Sequence, residues 1–126
     1  YQGDVKGFLN QFLLPELHDR FSRTQHFVGN FRCELEGDTA YVEAYLMANH
    51  RGTADHWKWA NKHVILWGRY VQRYERRDNE WKIAEHRLLL DFEKDLEGDW
   101  HDLPEDQLGK RDGTDPSQTH EPWKQV

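Results

Sequence analysis

The sequence holds one cysteine, Cys33, among 126 residues. A single thiol excludes an intrachain disulfide framework and a zinc site built on several thiolates, and it fits a reducing, cytoplasmic setting best. Uncharged apolar runs such as residues 12–14 and 64–67 fall far short of the roughly 20 residues that a membrane span needs. A basic region followed by an apolar stretch is also missing, so we see no secretory signal.

Clustered positive charge and phosphate-binding loops are missing as well. Seventeen Lys and Arg stand against 23 Asp and Glu, which gives a formal net charge of −6. Sequence-independent binding to nucleic acid needs clustered positive charge, which this acidic chain lacks. The sequence contains neither a glycine-rich phosphate loop nor a nucleophile elbow. We therefore expect a soluble protein whose partners include neither nucleic acid nor a membrane.

Aromatic residues are abundant in a chain that is otherwise polar. The mean hydropathy is −1.05, yet the sequence has six Trp, five Tyr and six Phe. Because each large ring buries a large area, a small aromatic core is possible. We predict a folded domain over residues 1–92 and an extended C-terminal tail over residues 93–126, in which Gly, Pro and charges replace the apolar pattern. We expect the tail, with Trp100 and Trp123, to pack on its own or a neighbouring subunit.

The N-terminal residues have the apolar spacing of an amphipathic helix. Asp4 is the predicted N-cap, and the apolar stripe consists of Val5, Phe8, Leu9, Phe12 and Leu13. Pro15 is expected to end or kink this helix because proline removes a backbone donor. A second short turn is predicted over residues 16–21.

A period of two begins at residue 25 and predicts strands. The predicted strands are residues 25–35, 40–49, 63–76 and 81–91, joined by turns at residues 36–38 and 78–79 and by a long loop over residues 50–62 that holds Trp57 and Trp59. In the first strand Phe27 shares a face with Cys33, taken as a small core residue, while His26 shares the other with Val28 and Asn30. Two long hairpins after one helix predict an α+β domain with a curved antiparallel sheet partly covered by helix.

Eight histidines raise the question of a metal site. The spacing contains no H-E-x-x-H and no two histidines at i, i+4 on one helical face, so we predict no metal. His26 could project into an apolar pocket as a general base, and the alternative is a histidine satisfied by a backbone partner. His86, which shares a predicted face with Leu88, carries the same two alternatives. Arg87 and Asp91 fall on the opposite predicted face, where they would form an ion pair.

Five strings of the sequence resemble the SnoaL-like family of the nuclear-transport-factor-2 superfamily, in the branch of scytalone dehydratase and hexachlorocyclohexane dehydrochlorinase. The strings are TQHFVGN at residues 24–30, GDTA at 37–40, YLMANHR at 45–51, GRY at 68–70 and YERRDNEWKIA at 74–84. The resemblance covers roughly residues 1–91. It implies a cone-shaped curved antiparallel sheet packed on helices, with a central apolar pocket and acid/base chemistry that needs no cofactor.

The resemblance also implies roles for particular positions. A histidine at the position of His26 pairs in this branch with an Asp from an N-terminal helix, and the family arginine falls at His86 or Arg87. The chain begins at Tyr1 without Met. We therefore expect that an N-terminal part, with the partner Asp, lies upstream of this sequence.

These observations favour a small cofactor-independent lyase or isomerase, dehydratase-like, that acts on an apolar, ring-containing small molecule. His26 and His86 are the predicted catalytic residues, and the predicted substrate-binding residues are Val28, Asn30, Tyr45, His50, Trp67, Arg87 and Leu88. His50 and the loop with Trp57 and Trp59 are expected to border the pocket mouth. A non-catalytic ligand binder, a structural subunit of this fold and a bare assembly module are the alternatives. We expect a homo-oligomer, a trimer by resemblance, with a dimer as the alternative.

Overall fold

The computed structural model describes residues 2–97, 103–104, 108–110 and 114–115. A helical segment comes first, made of α1 (Val5–Gly7), a π-helical turn (Phe8–Leu13) and α2 (Leu14–Arg20). Four strands follow, namely β1 (Phe21–Glu36), β2 (Thr39–Gly52), β3 (Lys62–Arg77) and β4 (Glu80–Glu97). They form one antiparallel sheet in the order β1-β2-β3-β4. The predicted α+β class is confirmed.

The helical segment begins as predicted and continues through its proline. Asp4 Oδ1 accepts a hydrogen bond from the Gly7 amide at 2.8 Å, as expected of an N-cap. Of the two predicted effects of Pro15, ending the helix is wrong, because Pro15 lies in the first turn of α2. Immediately before it the Leu14 amide donates to the Leu9 carbonyl, five residues back. This wider turn accommodates the missing donor and the bulk of the proline ring. Of the helices described, none is long and apolar enough to cross a membrane.

Both predicted hairpin turns are confirmed, and each contains residues with a positive φ angle. Gly37 has a φ of 60°, and Asp78 and Asn79 have φ values of 52° and 64°. Left-handed residues at these positions match the twist of the strands they connect. The pairing of β2 with β3 is unbroken from Thr39 opposite Glu75 to Arg51 opposite His63.

The sheet has an inner face, which we define as the one against which the helical segment packs. Leu17 of α2 and Leu66 of β3 pack there against the buried cluster of Phe21, Trp59 and Val64. The inner face of β2 carries the residues that are most buried, which are Ala40, Ala44, Leu46, Ala48 and His50. Cross-strand partners point to the same side of a sheet, so the pairing of β2 with β3 also assigns each residue of β3 to a face. We call the opposite side the outer face.

A β-bulge in β1 overturns the predicted faces of that strand. The register moves from Gly29 opposite Tyr45 to Arg32 opposite Glu43, and Asn30 has a φ of 51°. The extra residue reverses the alternation beyond it. Cys33 therefore shares the inner face with His26 rather than a face with Phe27. Its side chain is exposed and not a core residue.

The pairing of β3 with β4 is irregular at two places, between Trp67 and Gly68 and between Arg73 and Tyr74. One separates Trp67 opposite Phe92 from Gly68 opposite Leu90, so Asp91 falls in the bulge. Asp91 accepts a hydrogen bond from Arg69 at 3.3 Å and does not form the predicted pair with Arg87. β4 continues to Glu97, beyond the strand end predicted at residue 91. Most of the predicted tail, including Trp100 and Trp123, lies outside the described residues.

The predicted long loop is shorter and more tightly packed than expected. His50 belongs to β2, which extends to Gly52, and the connection covers residues 53–61. Trp59 is only 6% exposed and packs in the core with Phe21 and Val64. Its carbonyl lies so close to Gly52 that a β-carbon there would be 1.6 Å from the oxygen. The placement of Trp59 at a pocket mouth is therefore wrong, whereas Trp57 is 87% exposed.

Gly68 allows β3 and β4 to approach each other, and its replacement provides a test of this packing. A β-carbon at Gly68 would lie 2.2 Å from the Leu89 carbonyl oxygen. We expect Gly68→Ala to lower the free energy of unfolding by about 1–3 kcal/mol, as overpacking does. Gly29→Ala is the matched control, because a β-carbon at Gly29 meets nothing within 4 Å. Equal thermal midpoints for the two variants would contradict the described β3–β4 approach.

Candidate functional site

His26, His50 and Tyr70 lie together on the inner face of the sheet. His26 of β1 is opposite Ala48, and Tyr70 of β3 is opposite Ala44. The small alanine side chains leave room above β2 for larger rings from both flanking strands. His26 Nδ1 lies 3.3 Å from the Tyr70 hydroxyl, and His26 Nε2 lies 3.3 Å from Nε2 of His50. These contacts connect three strands through polar side chains.

His50 is the buried member of this group. It is 4% exposed, and its ring centroid lies 4.5 Å from that of Phe21. Burial, together with charge on His26 and His63, lowers the pKa of His50 to about 4, and a backbone hydrogen bond with Val64 opposes the shift. Within the described chain, Nδ1 of His50 makes no hydrogen bond of standard geometry. His50 is therefore neutral at pH 7.

The neutral forms of His26 and Tyr70 determine how their hydrogen bond is oriented. Burial lowers the pKa of His26, and burial raises the pKa of Tyr70. At pH 7 the Tyr70 hydroxyl keeps its proton and can donate it to Nδ1 of His26. Nε2 of His26 then carries the ring proton and donates to Nε2 of His50. In this arrangement Nδ1 is the basic atom of His26.

His86 extends the group onto β4. Its ring centroid lies 4.9 Å from that of Tyr70 and 6.3 Å from that of Phe8 in the helical segment. Gln72, its cross-strand partner on β3, places Nε2 at 2.8 Å from Nδ1 of His86. Burial lowers the pKa of His86. The predicted residues His26, His50 and His86 are thus brought together, and register places Val28 and Leu88 on the same face.

Other predicted binding residues lie on the outer face. Tyr45 and Trp67 border a groove of about 490 Å³, together with Phe27, Asn30 and Phe92. Trp67 stacks on Phe92 with ring centroids 4.7 Å apart. Arg87 borders a second groove of about 360 Å³. The structure therefore separates Tyr45, Trp67 and Arg87 from His26 by the thickness of the sheet.

Charged residues are concentrated on that outer face. Arg69 donates to Glu43 at 3.2 Å and to Asp91 at 3.3 Å, and Arg73 donates to Glu85 at 3.0 Å. By contrast, the hydrogen-bonded side chains around His26 and His86 on the inner face are imidazoles, phenols and an amide. Over the residues that the structure describes, no three His, Cys, Asp or Glu side chains are grouped as metal ligands.

Sequence reasoning missed Tyr70 and Gln72. Both lie in β3 two residues apart, so they share a face, and the register pairs that face with Ala44 and Val42 of β2. The available signal was their even spacing from the inner-face residue Val64. It could be used only once the pairing of β3 with β2 and β4 was known.

An antiparallel curved sheet with helix on its inner face defines the α+β cone of nuclear-transport-factor-2-like proteins. The family model for the SnoaL-like domain matches residues 5–87 of this chain, and the chain belongs to that family. No curated protein sequence matches the chain.

Three solved structures illustrate the similarity. A hexachlorocyclohexane dehydrochlorinase, LinA Type2, has a TM-score of 0.62 and 21% identity over 79% of this chain and 62% of its own. A candidate scytalone dehydratase from Novosphingobium aromaticivorans has a TM-score of 0.54 and 22% identity over 67% of this chain and 54% of its own. The Kfla4162 protein of Kribbella flavida has a TM-score of 0.54 and 20% identity over 60% of this chain and 51% of its own. This chain thus spans 51–62% of these proteins, and the likeness is one of fold.

The buried His50 predicts a loss of stability in mild acid. The unfolded chain binds a proton near pH 6.5, whereas folded His50 binds it near pH 4, so the free energy of unfolding falls between these values by about 1–3 kcal/mol. We expect His50→Leu to flatten this part of the stability curve. His18→Gln, on the exposed surface of α2, keeps the original slope. Denaturant unfolding at several pH values measures the free energy of unfolding of each variant and of the unmodified protein. The same dependence on pH in all three would contradict the burial of His50.

Proposed function

We propose that this protein is a small cofactor-independent lyase or isomerase of the dehydratase type. His26 is the general base, and the ligand is an apolar, ring-containing small molecule bound on the inner face. The observation that carries the proposal is the neutral His26 imidazole, held between the Tyr70 hydroxyl and His50 on an apolar sheet face. Membership of the SnoaL-like family and fold neighbours named as a dehydrochlorinase and a candidate dehydratase support it.

The proposed reaction begins with removal of a proton from carbon. The C–H group displaces the Tyr70 hydroxyl from Nδ1 of His26, and Nδ1 takes the proton. The electron pair of the broken C–H bond forms a carbon–carbon double bond, and the leaving group departs with its own bonding pair. In an isomerisation the same proton is returned at another carbon. A lowered pKa suits this role because it keeps the imidazole unprotonated at neutral pH.

Specificity for an uncharged ring follows from the surroundings of His26. Val28, Leu88 and Leu90 lie on the inner face, where their side chains remain 41%, 46% and 54% exposed. Such side chains can cover an apolar ring, while a few polar groups fix its orientation. The arginines of the outer face are on the wrong side of the sheet to pair with an anionic ligand at this site.

A ligand-binding module without catalysis is the second candidate. Both ring nitrogens of His26 lie within 3.3 Å of a neighbouring polar atom, and a base must release one of them to react. A module that only binds would use the same contacts as fixed hydrogen bonds. Turnover distinguishes the two candidates.

Replacement of His26 tests its role as the base. We expect His26→Gln to lower the turnover of a bound neutral ring compound by about 10² to 10⁴, the usual value of a general base. The thermal midpoint is expected to stay close to that of the unmodified protein because His26 is exposed. His18→Gln is the control and keeps full activity. A loss of less than about tenfold with an unchanged midpoint would remove His26 from the mechanism.

The pH profile provides an independent test of the same base. Protonated imidazole cannot accept a proton, so kcat/KM is expected to fall as the pH drops through the folded pKa of His26. Burial lowers that pKa, so the acid limb lies below pH 6.5. The groups facing His26 are His50 and Tyr70, and both are uncharged at neutral pH. An acid limb centred above pH 6.5 would contradict the assignment.

We also propose that the protein forms a homo-oligomer, a trimer with a dimer as the alternative. Large apolar side chains on the outer groove support this, since Phe27, Tyr45 and Phe92 are 54%, 52% and 60% exposed. Exposed apolar patches of this kind are typical of subunit interfaces.

Light scattering at micromolar concentration tests the assembly. We expect the mass of an oligomer, and we expect Phe92→Arg to shift it toward the monomer because a charge in the groove opposes burial. Val5→Arg, on the exposed surface of the helical segment, is the control and leaves the mass unchanged. A monomer in the unmodified protein would refute the proposal.

A further inference from the structure

Two inner-face residues that play no part in the proposed proton abstraction form a hydrogen-bonded chain that ends on His86. The Tyr74 hydroxyl donates to Oε1 of Gln72 at 3.0 Å. Nε2 of Gln72 lies 2.8 Å from Nδ1 of His86. Gln72 and His86 are direct partners across β3 and β4, so the sheet itself brings the amide to the imidazole.

The orientation of the Gln72 amide determines where the proton of His86 lies. An amide oxygen can only accept a hydrogen bond, and an amide nitrogen can only donate one. Because Tyr74 occupies the oxygen, the nitrogen faces His86, and Nδ1 of His86 must accept. The neutral ring then carries its proton on Nε2.

The environment of His86 keeps the ring uncharged. Its neighbours on β4, Glu85 and Arg87, point to the outer face, where Glu85 accepts from Arg73. On the inner face the ring is flanked by Tyr70 and Phe8, neither of which is charged at neutral pH. Burial lowers the pKa of His86, which favours the neutral form further.

We propose that Gln72 and Tyr74 are positioning residues that hold His86 as a neutral Nε2–H donor to a carbonyl or hydroxyl oxygen of the ligand. The inference rests on the proposed function, because it assigns the second polar contact of the same site. His86 lies on the inner face together with His26, whereas its neighbour Arg87 lies on the outer face.

A neutral donor suits a site whose ligand is uncharged. It polarises an oxygen as negative charge develops there and adds no charge to the apolar face beforehand. Nδ1 is occupied by Gln72, so the ring presents one defined polar atom to the ligand. His26 and His86 then have opposite roles, His26 accepting a proton through Nδ1 and His86 donating a hydrogen bond through Nε2.

The tautomer of His86 can be measured directly by long-range ¹H–¹⁵N correlation spectra of the full chain with ¹⁵N-labelled histidine. The signal of His86 is the one that disappears in His86→Gln. We expect the Nε2–H form to dominate in the unmodified protein. In Gln72→Glu the carboxylate can only accept, so we expect the Nδ1–H form to dominate and the pKa of His86 to rise. A single hydrogen bond shifts such populations by about fivefold.

Tyr74→Phe is the second, conservative variant, and it frees the amide to turn. We expect a mixture of both tautomers, differing from the unmodified protein by about fivefold. Tyr41→Phe, at an exposed site on the outer face of β2, is the control and leaves the spectrum of His86 unchanged.

The proposal is overturned if the unmodified protein already shows the Nδ1–H form, or if neither Gln72→Glu nor Tyr74→Phe changes the tautomer. These spectra use the protein without ligand. They therefore stand independently of the His26→Gln assay, so the positioning role and the proposed function can fail separately.

Discussion

The unbroken pairing of β2 with β3 is the constraint on which the rest of the structure depends. It extends from Thr39 opposite Glu75 to Arg51 opposite His63 without an irregularity. Because side chains alternate along a strand, this register decides that His50 and Tyr70 share one face. A slip by one residue would move one of them to the other side of the sheet. The flanking strands, by contrast, contain bulges that adjust which of their residues reach that face.

Around the candidate site, the two faces of the sheet carry different kinds of polar side chain. The outer face holds paired charges, such as Arg69 between Glu43 and Asp91, which remain in contact with solvent. Around His26 and His86 the inner face holds groups that are neutral at pH 7, connected by hydrogen bonds of 2.8–3.3 Å, whereas the ion pair of Lys62 with Asp95 lies at one end of that face. Burial accounts for this difference, since desolvation disfavours the charged form of an imidazole and of a phenol. A face with these properties suits acid/base chemistry on an uncharged molecule.

Local features of the fold could be predicted from the sequence because they depend on the residues themselves. The N-cap at Asp4 and the turn at Asp78 and Asn79 are examples, since their backbone requirements are local. The bulge at Asn30 could not be predicted, because an extra residue is visible only against the partner strand. The burial of Trp59 likewise depends on the close approach of its carbonyl to Gly52.

The site was predicted in part for the same reason. His26 and His86 could be selected as unexpected imidazoles on apolar faces, and the structure brings them together with His50. Tyr45 and Trp67 were assigned to the same pocket, yet the register places them on the outer face. Gln72 and Tyr74 act on His86 through contacts between strands, and a single strand pattern does not contain that information.

The central claim is that the ligand binds on the inner face of the sheet. Photo-crosslinking with a neutral benzophenone-type ring compound, followed by peptide mass spectrometry, tests it most directly. We predict adducts on inner-face residues such as Leu88 and Leu90, which are 46% and 54% exposed, and loss of labelling when an unlabelled neutral ring compound competes. Adducts confined to Trp67 and Phe92 in the outer groove would contradict the claim.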